Sequence, residues 1–211
     1  MTSPDNGKKY DHKAIEQKWQ KHWEDTGIHK IEDEVKGKEN FYQLVEFSYP
    51  SGDLHTGHWY AFAVPDIYAR YKRMQGFNVL YPMGFDAFGP PAENAAIKNG
   101  GDPREWTENQ MSRMRTQIKS MGATFDWSRE VVTCDPAYYK WTQWMFTQFF
   151  KNDLVYRANT KVNWCPKDQT ILANEQVIDG KCDRCGTEVI QKDQDQWMLR
   201  ITKYADRLID D

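Results

Sequence analysis

The chain begins its regular pattern with apolar side chains at helical spacing. Asp11 is a candidate N-cap, and the residues behind it place three apolar side chains on one face: Ile15, Trp19 and Trp23. Side chains four positions apart lie on the same face of a helix, so this pattern predicts an amphipathic helix. Gly27 is its predicted end, because glycine readily adopts the left-handed conformation that terminates helices.

The next pattern is a strand, a tight loop, a helix and a second strand. Residues 41–47 alternate and then become continuously apolar, which predicts a buried strand. After a loop with proline and glycine, apolar residues recur at helical spacing over 58–74, and residues 77–81 form a short apolar run. A strand, a helix and a strand within about 40 residues predict a βαβ unit with a parallel sheet and a right-handed crossover. Pro65 predicts a kink in the helix.

Further along, the pattern predicts three more helices and one more strand. The helices are expected over 91–99, 105–121 and 136–151, and the strand over 154–164. After Cys165 the composition shifts to glycine, aspartate, lysine and cysteine, which indicates a domain boundary near Asn163. We therefore expect one domain over residues 1–163 and a second module over residues 164–211.

Composition excludes several classes of protein. Hydrophobic residues make up 39% of the 211 residues, which is enough to bury a core, and the formal net charge of −3 gives no global basic field for nucleic acid. Any RNA contact must therefore be local. No apolar run is long enough to span a bilayer, and residues 1–9 are polar, unlike a signal peptide, so we expect a cytoplasmic protein outside the membrane.

Three of the four cysteines lie close together near the C-terminus. Cys165-x2-Asp168 is followed by thirteen residues and then by Cys182-x2-Cys185. Ligand pairs of this spacing, joined by a short loop, are typical of tetrahedral zinc sites and suit a reducing compartment. One corner is aspartate rather than cysteine, so a metal-free ribbon is the alternative. Cys134 stands apart and is expected to be a buried thiol.

A His-x-Gly-His motif stands where the first strand has ended and the long helix begins. A helix start offers unpaired N–H groups and a partial positive charge, and Gly57 lets the backbone approach a ligand closely. Two imidazoles three positions apart, His55 and His58, can donate hydrogen bonds to one anionic group. The motif therefore predicts a phosphate site for a nucleotide. A plain helix cap with two partly exposed histidines is the alternative.

An acidic residue follows the second predicted strand. Asp86 lies between Gly84 and Gly89, and ligands of open parallel sheets bind outside the carboxyl ends of the strands. A carboxylate at that place can pair with the cationic group of a substrate. The alternative is a local role for Asp86 as an Asx-turn or a helix cap.

Several blocks of the sequence resemble the class I aminoacyl-tRNA synthetases, and their leucyl branch in particular. YPSGDLHTGH at residues 49–58 is similar to the HIGH region of the class, and GFDAFG at 84–89 with PAE at 91–93 resembles the GWDAFGLPAE block of leucyl enzymes. FDWSRE at 125–130 agrees, as do NWCP at 163–166 and LANEQV at 172–177. The last of these separates leucyl enzymes from their methionyl, isoleucyl and valyl relatives. The resemblance covers nearly the whole chain.

The resemblance implies a fold and a reaction. The fold would be α/β, the N-terminal half of a Rossmann-like class I synthetase catalytic domain with a small zinc-ribbon-like insertion module. The reaction would be ATP-dependent activation of leucine to leucyl-adenylate, with Mg²⁺, and transfer to tRNA(Leu). His55 and His58 would be catalytic, and Tyr49 and Asp86 would bind the amino acid. The ATP-binding set would be Pro50, Ser51, Gly52, His55, Thr56, Gly57 and His58.

Two positions depart from the leucyl pattern. Pro90 stands where the family usually has leucine, so Pro90 and Pro91 together remove a backbone donor and stiffen the loop after Asp86. Ser48 stands where the family usually has proline. Neither change removes a catalytic group.

Two other functions compete with the ligase. One is a non-catalytic synthetase-like module that binds RNA or a partner, in part through Arg113, Arg115 and Lys119 on one helix. The other is a small adenylyltransferase, which also uses His-x-Gly-His but needs neither the Asp86 block nor the cysteines. The sequence contains no KMSKS-like loop, editing pocket or anticodon-binding bundle. We therefore expect these 211 residues to be inactive alone, and we expect a second half, in the same protein or in a partner chain, to complete the enzyme.

Overall fold

The structure is a computed structural model that describes residues 10–210, apart from the side chains of residues 90–92. It divides into two compact units, the first ending at Tyr139 and the second beginning at Lys140. The boundary expected near Asn163 is not where the units divide. Asn163 lies inside a long strand of the second unit, because that strand pairs along most of its length with another strand of the same unit.

The first unit combines short strands with longer helices. In chain order its elements are α1 (His12–Thr26), β1 (Asn40–Tyr42), α2 (Thr56–Met74), β2 (Asn78–Leu80), β3 (Gly84–Phe85), α3 (Pro90–Lys98), α4 (Pro103–Ser120) and β4 (Val131–Val132).

The strands of this unit run parallel. β1 pairs with β2, with Phe41 opposite Val79. Farther along the same two segments Ser48 bridges Phe85, and on the other side of Phe85 lies Val132 of β4. Three parallel segments therefore lie side by side, with the β2–β3 segment in the middle. The predicted parallel βαβ unit is confirmed, although β1 is shorter than the predicted strand and β4 was not predicted.

Helix α1 has the predicted ends but not the predicted burial. The Asp11 carboxylate accepts a hydrogen bond from the Ala14 N–H at 3.1 Å, and Gly27 ends the helix in the left-handed conformation. Trp23 is half-buried beside the Arg70 guanidinium, whereas Ile15 and Trp19 remain exposed. The apolar stripe therefore packs at one end and faces solvent at the other.

The core of the first unit involves the sheet and helices α2 and α4. Its largest fully buried side chains come from these elements and the segments next to them: Phe62, Tyr81, Met83, Phe85, Met114 and Ile118. Helix α2 continues past Pro65 to Met74. Cys134 was expected to be buried, but it is half-buried at the edge of this core.

A buried polar network ties α2 to the segment after α4. The carboxylate of Asp66 accepts hydrogen bonds from the Thr124 N–H at 2.7 Å, the Thr124 hydroxyl at 2.6 Å and the Arg70 Nε–H at 2.8 Å. The Arg73 guanidinium donates to the carbonyl and the hydroxyl of Thr124. Burial lowers the pKa of Arg73, and the nearby Asp66 carboxylate opposes this effect. The network thereby holds the helix that begins at the His-x-Gly-His motif.

The second unit is built on an antiparallel ribbon. Its elements are α5 (Pro136–Lys151), which starts within the first unit, β5 (Val155–Cys165), β6 (Thr170–Leu172), β7 (Val177–Ile178), β8 (Lys181–Cys182), β9 (Ile190–Leu199) and α6 (Ala205–Asp210). β5 pairs with both β6 and β9, and β7 pairs with β8. Trp197 of β9 contacts Phe146 and Phe150 edge-on, which packs α5 against the ribbon. No helix in residues 10–210 is long and apolar enough to cross a membrane.

Candidate functional site

The two histidines of the His-x-Gly-His motif bind each other's backbone at the start of α2. His55 is the N-cap, and its Nδ1 accepts a hydrogen bond from the Gly57 N–H at 3.1 Å. In return, the His55 N–H donates to Nδ1 of His58 at 3.2 Å. The ring centroids are 4.0 Å apart. This reciprocal arrangement is a capping box made of two imidazoles.

The capping box determines which ring nitrogens remain for a ligand. Because Nδ1 of both His55 and His58 accepts a hydrogen bond, the proton of each neutral ring sits on Nε2, which is then a donor. Within residues 10–210, neither Nε2 has a hydrogen-bond partner. Burial, and then the neighbouring His55, lowers the pKa of His58, which favours the neutral form of its ring. The motif therefore presents two neutral N–H donors.

Gly57 leaves room for the capping imidazole of His55. A Cβ at this position would lie 2.9 Å from Cε1 of His55, so a side chain would push the capping imidazole away. The unpaired N–H groups expected at the start of α2 are largely used. The Gly57 N–H donates to His55 Nδ1, and the His58 and Trp59 N–H groups donate to the His55 carbonyl. The capacity to bind an anion therefore lies mainly on the imidazoles rather than on the backbone.

Helix α4 holds the loop that leads into the motif. The Arg113 guanidinium forms a two-point ion pair with the Asp53 carboxylate at 2.6 and 2.7 Å. Gln117, one turn later, donates to the same carboxylate at 3.0 Å and accepts from the Leu54 N–H at 3.2 Å. These contacts fix the two residues immediately before His55.

The remaining residues expected near ATP and leucine lie on the same approach to α2. Tyr49 directly follows the Ser48–Phe85 bridge and is half exposed, and Pro50 is fully buried. Ser51, Gly52 and Thr56 line the turn from the strand into the helix: Ser51 and Thr56 are exposed and Gly52 is half-buried.

Asp86 lies at the carboxyl end of the middle parallel segment. Its N–H donates to the Ser48 carbonyl at 3.0 Å, and its Oδ1 accepts from the Thr133 hydroxyl at 3.3 Å. In the described residues the other carboxylate oxygen, Oδ2, has no partner. Tyr49 and Asp86 each follow a residue of the Ser48–Phe85 bridge, so the two lie at the same end of the sheet.

Asp86 performs neither of the local roles considered as alternatives. An Asx-turn would require its carboxylate to accept from the Phe88 N–H, but that N–H donates to Thr133 at 3.1 Å. The N-cap of α3 is Gly89, whose φ of 146° favours glycine. Pro90 is the first residue of α3, where a missing N–H has no cost because that N–H has no partner in a helix.

The cations proposed for RNA binding are already paired. Arg113 pairs with Asp53, Arg115 with Glu130 at 2.6 Å, and Lys119 with Glu24 at 2.6 Å. Their charges are therefore largely neutralised within the first unit. The helix gives no support to a module that binds RNA through these three residues.

The four predicted metal ligands meet in the second unit. Their ligand atoms all lie within 4.8 Å of one another. The Sγ atoms of Cys165 and Cys185 are 3.4 Å apart, which is not a disulfide, and Asp168 Oδ2 is 3.3 Å from the Cys182 Sγ. Tetrahedral zinc with bonds of about 2.3 Å to sulfur would hold its sulfur ligands about 3.8 Å apart. The donor set and the spacing fit such an ion.

The local fold positions these ligands on turns. Cys165 ends β5 and Cys182 ends β8, and both are buried. The Gly186 N–H donates to the Cys182 carbonyl at 2.9 Å, and Gly186 has a φ of 68°, so the turn after Cys182 needs glycine. Burial raises the pKa of Cys165 to about 11. A metal that binds this thiolate must therefore displace its proton.

Sequence reasoning missed two residues that organise the first site, Gln117 and Thr133. Each acts through a contact across more than 40 positions of sequence, which helical or strand periodicity does not register. Thr133 had one available signal, since it follows a short β-branched run, Val131–Val132, that forms a parallel strand.

A parallel sheet connected through helix α2, with an antiparallel ribbon after it, is the fold of the class I tRNA synthetases. Residues 18–211 match the family model of tRNA synthetases class I (I, L, M and V), and the chain belongs to this family. It is 55% identical to the leucine–tRNA ligase of Deinococcus radiodurans over 96% of its length and 24% of that protein. It is 53% identical to the leucine–tRNA ligase subunit alpha of Aquifex aeolicus, covering 97% of this chain and 32% of that subunit. The chain thus spans a quarter to a third of the relatives it matches.

Solved structures give the same fold. A ternary complex of the Agrobacterium radiobacter K84 agnB2 LeuRS with tRNA and LeuAMS superposes with a TM-score of 0.87 and 41% identity, over 96% of this chain and 26% of that one. A methionyl-tRNA synthetase of Mycobacterium tuberculosis, solved with methionyl-adenylate, matches with a TM-score of 0.66 and 20% identity. It covers 81% of this chain and 34% of that chain, and its likeness concerns the fold alone.

Proposed function

We propose that this chain forms the part of a leucine–tRNA ligase that binds the ATP phosphates and the leucine ammonium. The observation that carries the proposal is the pair of Nε2–H donors on the neutral rings of His55 and His58. Among the described residues, neither donor has a hydrogen-bond acceptor. Identity of 53 to 55% with leucine–tRNA ligases supports leucine over isoleucine, methionine or valine.

In the proposed reaction an oxygen of the leucine carboxylate attacks the α-phosphorus of ATP. A new O–P bond forms, the bond from that phosphorus to the bridging oxygen breaks, and pyrophosphate leaves. Negative charge develops on the phosphoryl oxygens, and His55 and His58 donate hydrogen bonds to them. Mg²⁺ bound with ATP would supply further charge neutralisation. No protein nucleophile is required, because the carboxylate of leucine is itself the nucleophile.

The amino acid is held at the neighbouring end of the sheet. Among the described residues, one carboxylate oxygen of Asp86 has no partner, which suits the leucine ammonium, and Tyr49 at the same end of the sheet would contact the amino acid. Pro50, Ser51 and Gly52 with Thr56 and Gly57 would form the wall next to ATP. Transfer of the leucyl group to tRNA(Leu) completes the proposed activity in the cytoplasm.

We also assign a structural zinc ion to Cys165, Asp168, Cys182 and Cys185. The support is that four ligand atoms of suitable chemistry lie within 4.8 Å of one another. The ion would fix the turns around β6, β7 and β8, which contribute a small buried cluster of Cys165, Leu172 and Cys182. A cluster this small stabilises a fold weakly without a cross-link.

The remaining parts of the enzyme are proposed to come from outside these 211 residues. The KMSKS-like lysine that would approach the phosphates from the other side is absent from this sequence. The relative named subunit alpha shows that a homologous enzyme carries this segment in a chain described as a subunit. We expect residues 1–211 alone to bind ATP weakly and to fail in aminoacylation, because a reaction that depends on positioning loses most of its rate when one side of the site is missing.

The test is pyrophosphate exchange by the full-length product of the gene that encodes this chain, with any partner subunit present. Exchange should depend on leucine and not on the other standard amino acids. His58→Ala should lower it by about two to three orders of magnitude, the usual effect of losing one preorganised donor. His12→Ala, an exposed histidine on α1, is the matched control and should have no effect. Exchange with another amino acid, or a His58→Ala enzyme within tenfold of the parent, would contradict the proposal.

A further inference from the structure

Thr133 occupies the position directly opposite Asp86 in the sheet. Its N–H donates to the Phe85 carbonyl at 3.1 Å, which continues the parallel pairing of β4 with β3 by one residue. The side chain of Thr133 therefore lies at the carboxyl end of the sheet, next to the turn that follows Asp86. Because threonine is β-branched, its side chain has little rotational freedom there.

The Thr133 hydroxyl uses its full hydrogen-bonding capacity at this turn. Its oxygen accepts from the Ala87 N–H at 2.9 Å and from the Phe88 N–H at 3.1 Å. A hydroxyl oxygen has two acceptor sites and one proton, and both acceptor sites are then occupied. The proton is left to donate to Oδ1 of Asp86 at 3.3 Å. The direction of the last hydrogen bond thus follows from the first two.

Because of this arrangement, the Asp86 carboxylate does not have to cap the N–H groups that follow it. In an isolated turn an aspartate at this place would cap the following N–H groups itself, and its charge would be used locally. Here Thr133 caps them, so one carboxylate oxygen is oriented by the hydroxyl and the other points to no partner in the described part of the chain. A carboxylate that is fixed in orientation and still has a free oxygen is suited to bind a small cation.

We infer that Thr133 is a positioning residue that takes over the capping of the 86–88 turn and so keeps the Asp86 carboxylate available for the ammonium group of the amino-acid substrate. The inference rests on the proposed function for the identity of that substrate. Thr133 itself does not touch the substrate. Loss of the Thr133 hydroxyl should therefore weaken binding of the amino acid and not binding of ATP, because the hydroxyl contacts only residues 86–88.

The experiment compares Thr133→Val with Thr133→Ser in the full-length gene product. Valine keeps the shape and loses the hydroxyl, whereas serine keeps the hydroxyl. In leucine-dependent pyrophosphate exchange, Thr133→Val should raise the KM for leucine by about tenfold or more, because hydrogen bonds to charged groups are worth at least that factor. The KM for ATP should stay within about twofold, since ATP makes no use of this contact, and Thr133→Ser should restore most of the leucine affinity.

Two further measurements separate positioning from a general structural effect. If Thr133 acts through Asp86, then Thr133→Val should add little in an Asp86→Asn background, as a double-mutant cycle would show. Amide hydrogen exchange at Ala87 and Phe88 should accelerate in Thr133→Val and not in Thr133→Ser. An unchanged KM for leucine in Thr133→Val, or equal losses for leucine and ATP, would overturn the inference while leaving the proposed function intact. Absence of leucine-dependent exchange in the unaltered protein would instead refute the proposed function, and this inference with it.

Discussion

Replacing Asp66 by alanine should destabilise the first unit by about 3 kcal/mol. The carboxylate accepts from the N–H and the hydroxyl of Thr124, a residue that is only 2% exposed, so both donors would lose their partner without reaching water. Each unpaired buried donor costs about 1 to 2 kcal/mol. The third donor, on Arg70, is partly exposed and can turn to solvent, so its loss adds little.

A second ion pair serves as a control that separates the effect of burial from the effect of i,i+4 spacing. Lys21 and Asp25 form an ion pair at the same i,i+4 separation as Asp66 and Arg70, but both side chains are mostly exposed. Asp25→Ala should therefore cost less than about 0.5 kcal/mol. The loss of stability in Asp66→Asn should lie between those of Asp66→Ala and Asp25→Ala, since asparagine keeps an acceptor for Thr124 but presents an amide to Arg70.

The assay is urea unfolding followed by far-UV circular dichroism. With an m-value of about 2 kcal/mol/M, the midpoint for the first unit should fall by about 1.5 M in Asp66→Ala and by no more than about 0.25 M in Asp25→Ala. Similar shifts in the two variants at equal m-values would refute the view that burial of the Asp66 network holds α2 in place.

Three further predictions concern single features. Ser48 is buried, and its hydroxyl has no partner in the described residues, so Ser48→Ala should raise the free energy of unfolding by about 1 kcal/mol; a loss of stability would show that the hydroxyl is bonded. The purified protein should hold about one equivalent of zinc, Cys182→Ser should release it and Asp168→Cys should retain it; metal at the level of the buffer blank would contradict the site. Burial, with Arg73 and Arg70, lowers the pKa of His29 from 6.5 to about 4. Since the unfolded chain binds this proton first, stability should fall as the pH drops from about 6.5 towards 4, and less so in His29→Gln; equal pH dependence in both proteins would argue against it.

Local signals were sufficient for helices α1 to α5 and for the βαβ unit of β1, α2 and β2. Asp11 and Gly27 mark the ends of α1, and the predicted helix over 136–151 coincides with α5. β9 was missed because its sequence, IQKDQDQWML, is mostly polar and most of its residues are exposed. Its ten residues are placed by antiparallel pairing with β5, which is a contact distant in sequence.

In the candidate site, too, sequence spacing identified some features and could not identify others. The motif of His55, Gly57 and His58 could be identified from spacing alone, and so could the cluster of Cys165, Asp168, Cys182 and Cys185. The sequence could not show that Thr133, rather than Asp86, caps the turn after Asp86. That depends on whether the Phe88 N–H donates to the Thr133 hydroxyl or to the Asp86 carboxylate. Spacing along the chain does not contain that information.

The cross-capped histidines have a consequence for how the protein would respond to its ionic surroundings. Each ring uses Nδ1 as an acceptor, so a ligand at Nε2 meets directed hydrogen bonds and no full positive charge. Salt weakens attraction between charges but has little effect on short, oriented contacts between a neutral donor and an oxygen. If the proposed phosphate site is correct, the contribution of the two histidines to binding should therefore persist at high ionic strength and at alkaline pH.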